Sequence, residues 1–370
     1  MKTCIAAVAA ALVLALPALG AGPSISARAY LVENGANGDV LASRAPRARV
    51  AIASITKLMT VLVALEHYKL SDVVTVDASS TAVGESTIDL RPGERITVRD
   101  LLKAALIQSA NDAADALAAH MGTGHFVALM NEKARELGLT DTHFVRPDGL
   151  DAPGHVSSAR DVTLLARAAM RIRFVRDTVR ERADTISGGR TIHTWNDLLS
   201  TFPHVLGVKT GHTNAAGWSQ VAAVRGTGVT IYATLLGGPS RERRNEDLAA
   251  LLAWGLARYR VVPVIDGARV YALAATPYGK GALSLVAAKP LVHVVRVDRP
   301  LVERVVAATA VSLPVRRGER LGEVRVYAGR TLIGSRPLVA SRSVARPDAL
   351  GRTTWYAGRT LRHMWGWVTP

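Results

Sequence analysis

Three short stretches of this chain carry side chains that together could make and break an acyl bond. The first is Ser54-Ile55-Thr56-Lys57. A serine hydroxyl is a weak nucleophile until a neighbouring base takes its proton, and a serine three residues ahead of a lysine at a helix start puts both on one face. Lysine can be that base once burial lowers its pKa, whereas arginine stays charged and cannot replace it. The chain holds eight lysines against 38 arginines, so a lysine at this spacing is informative. The second stretch is Ser109-Ala110-Asn111, where a break between two helical segments can turn both polar side chains inward: Asn111 to hold a substrate amide, Ser109 to relay a proton. The third is Lys209-Thr210-Gly211-His212-Thr213, close to Trp218. Its glycine would let a substrate backbone approach a strand edge, and Lys209 and Thr210 would offer a cation and a hydroxyl to a carboxylate. Taken singly, each stretch has a plainer reading: a capped helix with an exposed lysine, an N-cap serine or asparagine, and a turn at a strand end.

The elements that must position these groups can be read from periodicity. Residues 28–41 read as two strands around a Gly/Asn turn. From Ser54, apolar residues at 55, 58, 59, 62 and 65 follow helical spacing, and further amphipathic helices are expected at 101–108, 111–121 and 125–138, the last stopping at Gly138. From Val205 the period becomes that of three antiparallel strands, followed by a helix at 245–259 with acids first and arginine late, the order that suits the helix dipole. A sheet with segregated helices is an α+β arrangement. After Val262-Pro263 come short β-type runs, so a small all-β domain is expected at 263–345 behind a first domain at 22–262.

At 370 residues the chain is long enough for two cores, and 49% hydrophobic with 21% charged residues excludes a disordered or polytopic membrane protein. Lys2 followed by an apolar run from Cys4 to Leu16 and the small residues Ala18-Leu19-Gly20-Ala21 reads as a secretory leader over 1–21, cleaved after Gly20 or Ala21. Cys4 is the only cysteine and lies in that leader, so the mature chain has no disulfide, thiolate metal site or cysteine nucleophile. His193, His204 and His212 lack metal-ligand spacing and no Gly-rich phosphate loop occurs, so no cofactor is expected. The net charge of +16 favours anionic partners, and export argues against nucleic acid. In the tail 346–370, Leu361, Met364, Trp365 and Val368 fall at helical spacing among arginines, the pattern of a helix lying on a membrane surface, with packing on the protein body as the alternative.

Ser-x-x-Lys, then Ser-x-Asn, then Lys-Thr-Gly, in that order, is the signature of penicillin-binding proteins and class A β-lactamases. With ASITKLMT, LRPGERITVRDLLKAAL, QSANDAADALA, THFVRPDGLD, SSARDVTLLA and KTGHTNAAGWS around it, the chain resembles the low-molecular-mass D-alanyl-D-alanine carboxypeptidases from about Tyr30 onward. The resemblance implies a penicillin-binding/β-lactamase-like transpeptidase domain ahead of the all-β domain. It implies a periplasmic enzyme, attached to the outer face of the inner membrane, that trims terminal D-alanine from peptidoglycan stem peptides and is acylated by β-lactams. Ser54 would be acylated and Lys57 would be the base. Ser109 and Asn111 would bind substrate and pass a proton to the leaving D-alanine. Lys209 would support the electrostatics, Thr210 and Arg244 would bind the substrate carboxylate, and the backbone N–H groups of Ser54 and His212 would form an oxyanion hole. Arg244 is placed by its distance from Gly237-Gly238 and Trp254, with Arg241 and Arg243 as neighbours. Ala110 stands where the family commonly has glycine, and Trp195 where another side chain is frequent. A D,D-endopeptidase or β-lactamase on the same fold, and a wall-binding module with a decayed site, are the alternatives.

Overall fold

The computed structural model describes residues 5–8 and 22–365, with side chains over 22–360. The described residues form two compact units, one running up to Ala257 and the other from Arg258 onward together with Ile5–Val8. The first is built on a five-stranded antiparallel sheet of β1 (Ala29–Asn34), β2 (Val40–Arg44), β3 (Val205–Thr213), β4 (Gly217–Gly226) and β5 (Val229–Gly238), in the spatial order β2-β1-β5-β4-β3. The hairpin and the three late strands expected from periodicity therefore join one sheet, and β3 is its edge.

Side chains alternate between the faces of β5, which are covered by different helices. Ile231 meets Gly255 of the helix Arg241–Ala257, whereas Thr234 points the other way and shares a 2.7 Å hydrogen bond with Thr163 of the helix Ala159–Ala169. Beyond the second helix lie α1 (Lys57–His67), α2 (Val98–Leu106), α3 (Asn111–Ala119) and α4 (Thr123–Glu136), which close the main core.

Two of these helices depart from the amphipathic pattern expected of them. Every residue of α1 from Lys57 to Ala64 is buried, and α3 is buried at all but two of its nine positions, Asp115 and Ala119. A helix covered on all sides is a central one, and its polar residues must find partners inside the protein. The helices Ala159–Ala169 and Arg173–Thr178, and the hairpin Ala183–Ile186 with Arg190–His193, were not anticipated from periodicity. Arg173–Thr178 and the two four-residue strands are too short to set a period, whereas Ala159–Ala169 buries Val162, Leu165, Ala166 and Ala169 along one face behind a Ser158 cap.

The second unit begins with the strand Tyr259–Ile265, which pairs with Leu291–Arg296, so the change of character after Val262-Pro263 falls inside a strand rather than before it. Its largest sheet contains Leu301–Ala308, Arg320–Ala328, Thr331–Ala340, Leu283–Ala287 and Val270–Ala274 in that spatial order, over a core of Val, Leu, Ile and Ala. Residues Ile5–Val8, within the expected leader, lie antiparallel to Leu301–Ala308. The expected cleavage positions lie outside the described residues. The helix Ala349–Trp365 follows, and at its start Trp355 and Tyr356 make edge contacts with Tyr278. The Leu361, Met364, Trp365 and Val368 side chains lie outside the described ones. Among the described residues, no helix is long and apolar enough to cross a membrane.

Candidate active site

Ser54 does not cap a helix. It sits inside a single 3₁₀ turn, Ala53–Thr56, that leads into α1, and neither Ile52 nor Thr56 makes a side-chain cap. Ala53 enters that turn at φ 49°, a left-handed conformation uncommon for a residue with a side chain. Ser109 has φ 66° in the break between α2 and α3. Such conformations persist only where the surroundings enforce them, and both flank one cavity of about 230 Å³.

The Lys57 side chain is completely buried, against the reading of an exposed lysine behind a capped helix. Its Nζ reaches Ser54 Oγ at 2.9 Å, Asn111 Oδ1 at 2.6 Å and the backbone oxygen of Asp148 at 2.7 Å. Desolvation lowers its pKa from 10.5 to about 8, against the opposing pull of Asp148 and other acids. That corresponds to about 3 kcal/mol against the ammonium form. Three partners suit either protonation state. The ammonium donates to all three; the neutral amine keeps two N–H bonds, to Asn111 and Asp148, and turns its lone pair to the Ser54 hydroxyl. A general base for Ser54 needs the second arrangement.

Asn111 is the first residue of α3, not its cap. Its Oδ1 is used by Lys57 and one Nδ2 hydrogen by Gly84 O at 2.8 Å, so a single Nδ2 hydrogen is left for a substrate amide. Lys209 lies mid-strand rather than in a turn, with Nζ 2.8 Å from Ser109 Oγ and 3.0 Å from Thr210 O. Burial, then the charges of Lys57 and Arg244, push its pKa well down. The sequence offers Lys209 as a cation for a carboxylate, and a carboxylate bound in the cavity would favour its ammonium form.

Gly211 lines the cavity and has a second reason to lack a side chain. A Cβ there would sit 2.7 Å from Ile52 O, 3.1 Å from Ala53 Cβ and 3.2 Å from Ile55 N. The missing side chain admits the turn that carries Ser54. A second glycine packs on the same turn: at Gly149, φ 86°, a Cβ would fall 2.2 Å from Ala53 O. The Ser54 turn is thus held between β3 and the Pro147-Asp148-Gly149 loop, which also supplies the carbonyl for Lys57. The Pro-Asp-Gly triplet is a turn signal, but nothing in its spacing tells which element it abuts.

His212 is exposed and stacks on Trp218 with centroids 3.9 Å apart. Thr210 lines the cavity from β3. Arg244 also lines it, buried, 5.7 Å from the Trp218 ring and bonded to Asn245 Oδ1 and Asp197, its pKa lowered to about 10 chiefly by desolvation. Asp197 also binds Arg241 through both carboxylate oxygens, at 2.8 and 2.6 Å, and Arg241 lies over Trp195. Trp195 in turn donates to Gln108 O at 2.9 Å. Asp197 belongs to no motif, and Arg241, visible in the sequence only as a neighbour of Arg244, joins the site through this cluster.

A serine beside a buried amine, with guanidinium groups lining the same cavity, describes an active-serine acyl-transfer enzyme. The family model for D-alanyl-D-alanine carboxypeptidases matches residues 18–240. The D-alanyl-D-alanine carboxypeptidase DacD of Salmonella typhimurium is 31% identical over 88% of this chain and 88% of its own. DacF of Bacillus subtilis is 28% identical over 86% of this chain and 85% of its own. The crystal structure of penicillin binding protein 5 from Haemophilus influenzae, 26% identical, superposes with a TM-score of 0.65 over 88% of this chain and 100% of that one. The chain belongs to the D-alanyl-D-alanine carboxypeptidase family, with the α+β fold its motifs implied. It is a serine D-Ala-D-Ala carboxypeptidase of the penicillin-binding class, acting on peptidoglycan and binding β-lactams.

Proposed function

We propose that Ser54 is the acylated residue and that the chain removes the terminal D-alanine from peptidoglycan pentapeptides in five linked roles. Neutral Lys57 takes the Ser54 proton as Oγ attacks the carbonyl of the penultimate D-alanine. The backbone N–H groups of Ser54 and His212 receive the developing oxyanion. Thr210 and Arg244 hold the terminal carboxylate, whose charge keeps Lys209 protonated. The proton taken by Lys57 passes by way of Ser109, hydrogen-bonded to Lys209, to the departing D-alanine nitrogen, which leaves Lys57 neutral again. Water then hydrolyses the Ser54 ester, with Lys57 again as base. The observation that carries this reading is the buried Lys57 Nζ, 2.9 Å from Ser54 Oγ and held by Asn111 and Asp148. At pH 7 a pKa near 8 leaves about one molecule in ten with the amine free, a usable reservoir of base.

The test is release of D-alanine from a pentapeptide ending in D-Ala-D-Ala by the wild type and Ser54→Ala. Release that survives loss of Ser54 refutes the assignment. Intact Lys57, Asn111 and Ser109 contacts weigh against a decayed wall-binding module.

We further propose that residues 1–21 direct export to the periplasm and that the helix Ala349–Trp365 attaches the enzyme to the outer face of the inner membrane. The leader composition, the exposed Leu350 and Tyr356, and the arginines at 352 and 359 support this. Trp355 and Tyr356 against Tyr278 would steady the helix base. A chain ending at residue 345 that still sediments with membranes would refute the anchor.

A further inference from the structure

Glu85 belongs to none of the three motifs, yet it lines the cavity beside Ser54, Asn111 and Trp195. Its backbone is left-handed, φ 67°, in a residue with a side chain. The hydrogen bonds on either side explain how this is held. Gly84 O accepts from Asn111 Nδ2 at 2.8 Å, Ser86 O accepts from the Asn111 backbone N–H at 2.7 Å, and Ser86 Oγ donates to Gln108 O at 2.8 Å. The residue that positions Lys57 therefore also clamps the segment that presents Glu85.

The carboxylate thus presented is unused. The other charged residues lining the cavity, Arg241 and Arg244, are both bonded to Asp197, whereas Glu85 has no ion pair or hydrogen bond from its carboxylate among the described residues. The cations that act on it, Lys57 and Arg146, are both held by other groups, Lys57 by Ser54, Asn111 and Asp148 O and Arg146 by the two carboxylate oxygens of Asp148, so the Glu85 carboxylate at the cavity has no direct partner. The cavity is also polarised. Glu85 sits between Gly84 and Ser86, which are clamped by Asn111, the partner of Lys57, whereas Arg244 and Arg241 are held on Asp197 over the Trp218 and Trp195 rings, so anion and guanidinium are presented by different walls.

We propose that Glu85 is a substrate subsite for a free alkylammonium group, borne on the side chain of the residue that precedes D-Ala-D-Ala. The inference rests on the carboxypeptidase reading, in which the terminal carboxylate takes the Arg244 end. A peptide held by its carboxylate at that end and running past Ser54 brings its preceding residue toward Glu85. The pair is open to water, so its worth is that of an exposed ion pair with a pre-set partner. A consequence for selectivity follows: a stem peptide whose side-chain amine is already acylated in a cross-link loses this contact, and the enzyme favours uncross-linked stems.

The experiment compares kcat/KM for Nα-acetyl-L-Lys-D-Ala-D-Ala with a free side-chain amine and for the same peptide with that amine acetylated, using full-length wild type and Glu85→Gln. The wild type is expected to prefer the free amine by about fivefold at low salt, with the preference shrinking as ionic strength rises, and E85Q to lose it. Equal rates for both peptides in the wild type, or an undiminished preference in E85Q, overturn the proposal; the wild-type comparison holds even if the variant folds poorly. Cleavage of neither peptide would instead overturn the carboxypeptidase reading and the subsite with it.

Discussion

Replacing Gly211 by alanine tests how the nucleophile is positioned without touching any reactive group. The added Cβ would stand 2.7 Å from Ile52 O, and ordinary contact begins near 3.4 Å, so β3 and the Ser54 turn must separate by about 0.7 Å. The obstructing atoms are backbone or the Cβ of buried Ala53, so no flexible side chain can absorb the shift. Overpacking of this kind costs about 1–3 kcal/mol of stability. The larger effect is on chemistry. The two proposed oxyanion donors, on Ser54 and on His212 next to Gly211, lie on opposite sides of the contact being forced apart. Hydrogen bonds to an oxyanion work near 2.7–3.1 Å, and loss of one such donor costs about 10²–10³-fold in rate. We expect G211A to acylate with a fluorescent penicillin about 10²-fold more slowly than wild type, with the folded fraction checked by thermal melting. Wild-type acylation and an unchanged melting temperature would refute the claim that this glycine sets the distance between nucleophile and strand.

Three further outcomes follow from the same geometry. Because neutral Lys57 is the active form and its pKa is lowered to about 8 by burial, acylation should rise with pH through about 8 to a plateau; K57R, which cannot shed its proton, should lose both the activity and that limb of a stopped-flow pH profile. Asn111→Ala removes a 2.6 Å partner of Lys57 and the clamp on Gly84, and a buried donor left unpaired costs about 1–3 kcal/mol; a lower melting temperature with acylation reduced at least about tenfold is expected in the penicillin assay. Arg244→Ala should weaken discrimination between a peptide ending in a free carboxylate and its C-terminal amide by about tenfold or more, since a charge-assisted hydrogen bond contributes about 1.5–3 kcal/mol, as read from the ratio of kcat/KM values.

Residue types at fixed spacing announced the catalytic groups, and the long alternating runs after Val205 announced the central strands. Ser54 and Lys57 are legible because three residues along one helical turn bring them together wherever the chain goes. The rest of the site depends on contacts far apart in sequence: Lys57 meets Asn111 and Asp148 at separations of 54 and 91 residues, and Lys209 meets Ser109 at 100. Spacing cannot register such contacts, so the supporting loops at 84–86 and 147–149 went unread. Gly211 was legible as a position requiring glycine, but the turn that packs against it was not. The all-round burial of α1 was hidden for a related reason, because Lys57 and Thr60 look like a polar face until Asp148 O and Pro147 O are seen to satisfy them.

The most direct test of Ser54 as the acylated residue is labelling by a fluorescent penicillin, in wild type and Ser54→Ala, followed by the rate at which the label is lost. The account predicts a label that requires Ser54 and decays slowly. A label that survives in S54A, or none in the wild type, would contradict it; a Ser54-dependent label lost within seconds would make this chain a β-lactamase on the same fold.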